Sequence, residues 1–93
     1  MVDDPTTWTP HLSSKARLRW DEVGKQHMLV FPEAALMLNE TAAAILKLCD
    51  GARTVEQITD TLAQQFIGAD RQIIAEEVTA LLTRLQTRGL LEA

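Results

Sequence analysis

The hydrophobic positions of the chain change their period in the stretch from Leu36 to Gly51. Upstream of this stretch, apolar and polar residues alternate as they do in β-strands. Downstream, apolar residues recur at intervals of three and four, which is typical of amphipathic helices. The pattern therefore predicts strands first and helices afterwards.

Three short strands are predicted before the change of period. They are residues 15–21, 27–31 and 34–38. The first alternates strictly, with Ala16, Leu18 and Trp20 on one side, as in a half-buried antiparallel strand. Gly24 lies in the polar turn that follows, and Pro32, which cannot donate to a sheet ladder, marks the second connection. Because so small a sheet is not stable alone, its apolar face is expected to pack against helices.

The first predicted helix begins at Asn39, whose side-chain oxygen can accept from the free N–H groups of the first turn. It is expected to end at Asp50 and Gly51, because glycine readily adopts the left-handed conformation that stops a helix. The apolar stripe of this helix comprises Ala42, Ile45, Leu46 and Cys49.

Two further helices follow, each with its own start and stop. Thr54 and Gln57 form a capping box at the start of the second helix, and Gly68 ends it. Asp70 can cap the third helix, which ends at Gly89. The apolar stripes comprise Val55, Ile58, Leu62 and Phe66 in the second helix and Ile74, Val78, Leu81 and Leu85 in the third. Ile73 and Leu82 lie outside the stripe of the third helix and broaden its apolar face, which favours an additional contact with the sheet or a groove.

This order of elements predicts an α+β fold, in which a three-stranded antiparallel meander precedes three helices in a winged-helix-like arrangement. With 93 residues the chain has room for one domain, expected to span residues 15–93. Residues 1–14 contain Pro5, Pro10 and several small polar residues, which predicts a flexible N-terminal arm. Trp8 is the exception within the arm, and we expect it either to fold back on the domain or to anchor a partner.

Charge and composition narrow the classes of partner and location. The formal net charge of −4 argues against nucleic acid as a partner. No apolar run approaches the roughly 18 residues of a membrane span, so no membrane partner is expected. The acidic start, MVDDPTTWTP, lacks the pattern of a signal peptide, and a single cysteine fits a reducing compartment. These features favour a cytoplasmic protein.

No arrangement of side chains supports catalysis. His11 and His27 are the only histidines, and neither has a cysteine or carboxylate nearby at a metal-ligand spacing. Cys49 lies on an apolar stripe, where a cysteine acts as a small hydrophobe. The glycines stand singly, so no loop is suited to holding phosphates. We therefore expect no enzymatic activity, no metal and no cofactor.

The edge of the third predicted strand is the first candidate binding surface. An open edge carries unpaired N–H and C=O groups to which an extended peptide can add a strand. The side chains form two alternating sets, Ala34, Leu36 and Leu38 against Ala35 and Met37. Whichever set misses the core offers apolar contacts, and the third helix can form the other wall of the groove. The alternative is an edge covered by the arm or by the C-terminus of the chain.

The second and third helices form the other candidate surface, a reader of DNA. In a winged helix the third helix enters the major groove. Here its basic residues Arg71, Arg84 and Arg88 are opposed by Glu76 and Glu77, so the charge of this helix is nearly balanced. DNA binding is therefore the weaker hypothesis.

Three segments of the sequence resemble the PqqD family of pyrroloquinoline quinone (PQQ) biosynthesis. They are RLRWDE (residues 17–22), HMLVFPEAALMLNETAAAILKLCDG (residues 27–51) and LLTRLQTRGLLE (residues 81–92). The most specific feature is the order of a proline-glutamate turn, a leucine-asparagine cap and a cysteine-aspartate-glycine stop. The resemblance covers most of the chain beyond its first dozen residues.

This resemblance implies a peptide-recognition module that catalyses nothing itself. PqqD-like proteins bind the precursor peptide PqqA and present it to PqqE, a radical S-adenosylmethionine (SAM) enzyme that joins a glutamate and a tyrosine of the peptide. In the family fold the precursor adds a strand beside the third strand and lies against the third helix. The peptide-binding residues implied here are Ala34, Ala35, Leu36, Met37 and Leu38 on the strand and Ile74, Val78 and Leu82 on the helix.

Taken together, the residues and the resemblance predict a non-catalytic peptide chaperone that captures PqqA by strand addition and presents it to PqqE. The alternatives are a winged-helix DNA-binding protein and a carrier for the quinone product or an intermediate. An open sheet edge also permits strand exchange between copies. Both a monomer and a strand-exchanged homodimer are therefore compatible with the sequence.

Overall fold

A computed structural model of the chain describes residues 8–92 and contains five strands and three helices in that part. In chain order these are β1 (His11–Leu12), β2 (Arg17–Asp21), β3 (Gln26–Phe31), β4 (Ala34–Met37), α1 (Glu40–Lys47), α2 (Val55–Gln65), α3 (Arg71–Thr87) and β5 (Leu91–Glu92). The predicted α+β fold, a three-stranded antiparallel meander followed by three helices, is confirmed.

The meander has the strand order β2-β3-β4, and both of its connections are tight hairpins. In the first turn the Asp21 carboxylate accepts a hydrogen bond from the Val23 N–H at 3.1 Å. A Cβ at residue 24 would lie 2.6 Å from the Asp21 Oδ2 atom, so any other residue there would require the Asp21 side chain to move. Lys25 then takes a φ of 55°, which reverses the chain into β3. This turn fixes the register of the hairpin.

All three helices begin at the predicted caps. Asn39 accepts from the Ala42 N–H at 2.7 Å, Thr54 and Gln57 form the reciprocal capping box, and Asp70 accepts from the Gln72 N–H at 2.8 Å. The helix α1 ends earlier than its stripe predicts, at Lys47, so that Cys49 is buried just beyond it.

The core lies between one face of the meander and the helices. α1 packs against β2 and β3, and α2 packs against α3. On the sheet, the centre of this face is the row Leu18–Leu29–Leu36, three residues directly opposite one another on adjacent strands. The largest fully buried side chains are those of Pro10, Leu29, Ile45, Ile58, Leu62, Val78, Leu82 and Leu85. Within residues 8–92 the sheet thus has one face covered by helices and one face without a helix on it.

The chain segments next to the two ends form a separate two-stranded sheet, in which β1 pairs antiparallel with β5. Residues 8–14, assigned by the sequence to a flexible arm, contact the domain. The Trp8 and Pro10 carbonyls accept from the Val55 and Gly51 N–H groups, each at 3.0 Å, and Trp8 packs against the core. The part of the predicted arm from residue 1 to residue 7 lies outside the described residues. We therefore propose that the packed domain extends at least from Trp8.

Candidate functional site

In the described part of the chain, strand β4 is an edge strand with one side of its backbone unpaired. Among residues 8–92 it pairs with β3 alone. The Leu38 N–H donates to the His27 carbonyl at 2.9 Å, which makes this pair a hydrogen-bonded one. Hydrogen-bonded and non-hydrogen-bonded pairs alternate in an antiparallel ladder, so Leu36 also points its backbone groups towards β3. The N–H and C=O groups of Ala35 and Met37 consequently point away from the sheet.

The same strand has two different faces. Leu36 is half-buried and Leu38 is buried on the helix side, whereas Ala35 is exposed and Met37 is 50% exposed on the opposite side. The sequence left open which alternating set misses the core, and the structure identifies it as Ala35 and Met37. Ala34, at the start of the strand, is also exposed. The described C-terminal strand β5 pairs with β1 and not with β4, so it does not cover this edge.

The three α3 residues implied by the family resemblance are buried in the core. Ile74, Val78 and Leu82 are 4%, 0% and 1% exposed and belong to the hydrophobic core. In this conformation they offer no surface to a peptide. The apolar stripe of α3 is broad, because the neighbouring residues Leu81 and Leu82 are both buried. The residues implied by the resemblance lie on this buried side of the helix and not on its exposed face.

A cleft of about 310 Å³ lies between α1 and α3, beginning at Asn39, two residues after the end of β4. Its walls are Asn39, Thr41, Ala42 and Ile45 on one side and Glu77, Ala80, Leu81 and Arg84 on the other. Ile73, which is 53% exposed, shares a face of α3 with Glu77, Ala80 and Arg84, because they recur every three or four residues. In the sequence, this face is indicated by Ile73, which lies outside the apolar stripe of the third helix.

A larger cleft of about 670 Å³ lies on the other side of α1, between the β2–β3 hairpin and the end of α2. Trp20, Lys25, His27, Lys47 and Phe66 are among its lining residues. The Trp20 ring meets the His27 ring edge to face, with centroids 4.9 Å apart. Lys25 is held by Glu22 at 3.1 Å. This cleft borders the helix side of the sheet and does not include the free groups of Ala35 and Met37.

The residues considered for chemistry occupy structural positions. Burial, followed by the nearby Asp50 charge, raises the pKa of the Cys49 thiol to about 12, and the thiol lies 3.3 Å from the Ile45 carbonyl. His11 lies 3.4 Å from the Glu92 carboxylate, across the β1–β5 pair. In the described part of the chain no three metal-ligating side chains come together, and none of its helices is long and apolar enough to cross a membrane.

The basic residues of α3 do not form one surface. Arg71 makes an ion pair with Asp60 of α2, with its Nε atom 3.0 Å from the carboxylate. Arg84 lines the smaller cleft together with Glu77, and Arg88 caps the end of the helix. A DNA-reading helix requires cations presented together on one face, and this distribution does not provide them.

Comparison with known sequences agrees with the family resemblance noted in the sequence. The family model described as coenzyme PQQ synthesis protein D (PqqD) matches residues 26–91. A PqqA binding protein of Rhodopseudomonas palustris (strain HaA2) is 43% identical over 82 residues, which cover 88% of this chain and 79% of that protein. The bifunctional coenzyme PQQ synthesis protein C/D of Methylorubrum extorquens is 39% identical over 96% of this chain, which spans 25% of that protein.

Solved structures share the fold over nearly the whole chain. One is the solution NMR structure of the PqqD truncation of Methylobacterium extorquens PqqCD, described as a functional, stand-alone recognition element for ribosomally synthesised and modified peptides. It has a TM-score of 0.77 and 39% identity, with 96% of this chain and 98% of that chain covered. The crystal structure of PqqD from Xanthomonas campestris has a TM-score of 0.61 and 33% identity, with 88% and 90% covered.

Proposed function

This chain belongs to the PqqD family, and from that premise we propose that it is a non-catalytic chaperone of PQQ biosynthesis that binds the precursor peptide PqqA and presents it to the radical SAM enzyme PqqE. Binding of PqqA is supported by the names of two relatives, which are PqqA binding proteins. The resemblance noted in the sequence supplies the role of PqqE.

We propose that PqqA binds by adding a strand to β4. The observation that carries this proposal is the open edge, where the N–H and C=O groups of Ala35 and Met37 point away from β3. An incoming strand would make main-chain hydrogen bonds to these two residues. Its alternate side chains would then point towards the helix side of the sheet.

Those side chains would enter the cleft between α1 and α3. Ala80 and Ala42 leave room there for an apolar side chain, and Glu77 and Arg84 lie in the same wall. We therefore retain residues 34–38 as the pairing segment and replace the implied helix residues by Glu77, Ala80 and Arg84. Main-chain bonds would provide affinity, and this cleft would provide selectivity.

The test is the affinity of a Met37→Pro variant for synthetic PqqA, measured by isothermal titration calorimetry. Proline removes an outward N–H and places a ring where the incoming strand must lie. We expect the affinity to fall at least tenfold, since a lost hydrogen bond costs about 1 kcal/mol and the ring adds a steric conflict. Met37→Ala is the matched control, because it shortens the side chain and keeps the N–H.

Circular dichroism establishes that the proline variant is folded. Unchanged PqqA affinity in a folded Met37→Pro protein would contradict pairing at this edge. A titration with duplex DNA at two salt concentrations tests the rival DNA-binding function, for which affinity would fall steeply with added salt. Strand-added PqqA should show only a weak dependence on salt.

A further inference from the structure

The two edge strands of the meander carry different side chains. β2, at one edge, contains Arg17, Arg19 and Asp21. β4, at the other edge, reads AALM, with no charged residue and no proline, and its register with β3 runs from residue 34 to residue 37 without a bulge. Charged side chains, prolines and bulges are the means by which an exposed strand is kept from pairing with another chain. Within residues 8–92, β4 is therefore the edge of the meander that is unprotected against pairing.

The backbone of this edge is complementary to itself. The N–H and C=O groups of Ala35 and Met37 point outwards, and those of Leu36 between them point towards β3. If two copies lie antiparallel about a two-fold axis at Leu36, Ala35 of each copy stands opposite Met37 of the other. Such a pair, in which both residues point their backbone groups at each other, exchanges both of its N–H···O bonds. The two Leu36 residues then form the non-hydrogen-bonded pair that an antiparallel ladder requires between two hydrogen-bonded ones.

The side chains along this edge also match those of a second copy. On the face away from the helices, Met37, which is 50% exposed, would lie against Ala35 of the second copy. The neighbours of these residues on β3 are Met28 and Val30, so a continuous apolar strip would cross the dimer. On the helix side, the half-buried Leu36 would meet the second Leu36, with their Cα atoms about 4.5 Å apart. Pairing would thus bury apolar surface on both faces of the sheet.

The charges near this edge do not oppose the arrangement. Glu33, the carboxylate next to the strand, would stand opposite Asn39 of the second copy, since both lie three residues from Leu36. Arg17 and Arg19 lie on the far side of β3. With strands about 4.8 Å apart, the arginines of the two copies would be about 24 Å from each other, well beyond the screening distance of about 8 Å. No like charges would therefore meet across the paired strands.

We propose that β4 pairs with β4 of a second copy of this chain, antiparallel and without exchange of a strand, and that this self-pairing regulates access to the edge. The regulation rests on the proposed function, because the same outward groups of Ala35 and Met37 serve either PqqA or the second copy. PqqA and dimerisation then compete, so PqqA dissociates the dimer and a higher protein concentration weakens the apparent affinity for PqqA. A pair of four-residue strands is a small interface, which makes the dimer weak and readily reversible.

The test measures the monomer–dimer equilibrium of the purified domain by sedimentation velocity over a range of protein concentrations. In an Ala35→Lys/Met37→Lys variant, like charges oppose each other in both hydrogen-bonded pairs, so we expect dimerisation at least tenfold weaker than in the parent. In the matched Ala35→Lys/Met37→Glu variant, opposite charges meet in both pairs, and the dimer should be at least as tight as that of the parent. A register shifted to place Ala35 opposite itself would make the second variant repel its own copy.

The regulation is tested by adding synthetic PqqA to the parent protein. Saturating PqqA should convert the dimer into monomers with bound peptide, and the apparent Kd for PqqA should rise with protein concentration. A dimer that persists under saturating PqqA would overturn the competition. If PqqA does not bind at all while the dimer responds to the charge variants, the proposed function and the regulation fail and the self-pairing stands.

The self-pairing itself is overturned by either of two results. One is a parent protein that stays monomeric up to about 1 mM, and PqqA binding to that monomer would leave the proposed function intact. The other is a dimer that the Ala35→Lys/Met37→Lys variant forms as tightly as the parent, because its interface must then lie elsewhere. Circular dichroism checks that the variants are folded. Should the lysine variant not fold, Met37→Pro, which removes an outward N–H, replaces it with the same expected loss.

Discussion

Strands β4 and β5 are both short strands at the surface of the fold, and they differ in the state of their backbone groups. β5 is paired with β1, and the connection just before it is closed by a hydrogen bond of 2.9 Å from the Ser13 N–H to the Leu90 carbonyl. In β4 the outward groups of Ala35 and Met37 have no partner in the described part of the chain. The difference teaches that the fold pairs one edge within itself and leaves open the other, at which we propose that PqqA adds a strand.

The largest effect on stability is expected from a substitution at the closed edge, in β5. Leu91 of β5 is 3% exposed, so Leu91→Ala should lower the free energy of unfolding by about 2–5 kcal/mol. The PqqA affinity of the folded protein should stay within twofold of the parent, because β4 lies in the other sheet. Urea denaturation and calorimetry provide the two measurements.

Glu92→Gln is the control for this prediction, since the Glu92 side chain is exposed and its contact with His11 lies at the surface. Its effect should stay within about 0.5 kcal/mol. A folded Leu91→Ala protein that no longer binds PqqA would show that the two edges are energetically coupled.

Two proline substitutions compare the paired and the unpaired backbone groups within β4 itself. Leu36→Pro removes an inward N–H and leaves the carbonyl of the fully buried Leu29 without its partner, at a cost of about 1–3 kcal/mol in unfolding free energy. Met37→Pro removes an outward N–H that has no partner to lose, so its cost should be smaller. The two free energies of unfolding from urea titrations give the comparison. Equal losses for the two variants would mean that the alternation of paired and free groups has been assigned wrongly.

The smallest effect concerns Asp50, whose backbone forms an isolated antiparallel β-bridge with His11 beside the closed edge. The Ala52 N–H, and then the N–H and charge of Arg53, hold the pKa of Asp50 below its usual value of 3.8. A lowered pKa stabilises the fold above that value, and the stabilisation is lost as the pH falls through the folded pKa. The difference in Tm between the parent and Asp50→Asn should therefore shrink as the pH falls from about 5 to about 2. A Tm difference that stays constant across this pH range would exclude a contribution of the ionised Asp50 carboxylate to stability.

The elements that local sequence determines were predicted well. Asn39, Thr54 and Asp70 cap their helices as expected, because a cap depends on a side chain and on backbone groups two or three residues away. The meander followed from alternation and from the turn at Gly24. The candidate pairing segment was located from the same local pattern.

What the sequence did not give depends on contacts between distant residues. β1 and β5 have two residues each, too few to show a period, and their pairing joins the two ends of the described chain. Trp20 was placed with Leu18 on the core side, yet it is 49% exposed, because it lines the larger cleft at the end of the sheet. The burial of Ile74, Val78 and Leu82 was not foreseen, because periodicity defines an apolar stripe but not which neighbour each part of it meets.

The β1–β5 pair also has a consequence for how this domain can be built into larger proteins. His11 and Glu92 are register partners, so their Cα atoms lie about 5 Å apart. Polypeptide attached after Glu92 would leave the domain at a sheet separate from β4. Such a domain can be joined to another protein through this end without altering the sheet that contains β4. Fusion at this end would therefore not require any change at the proposed binding edge.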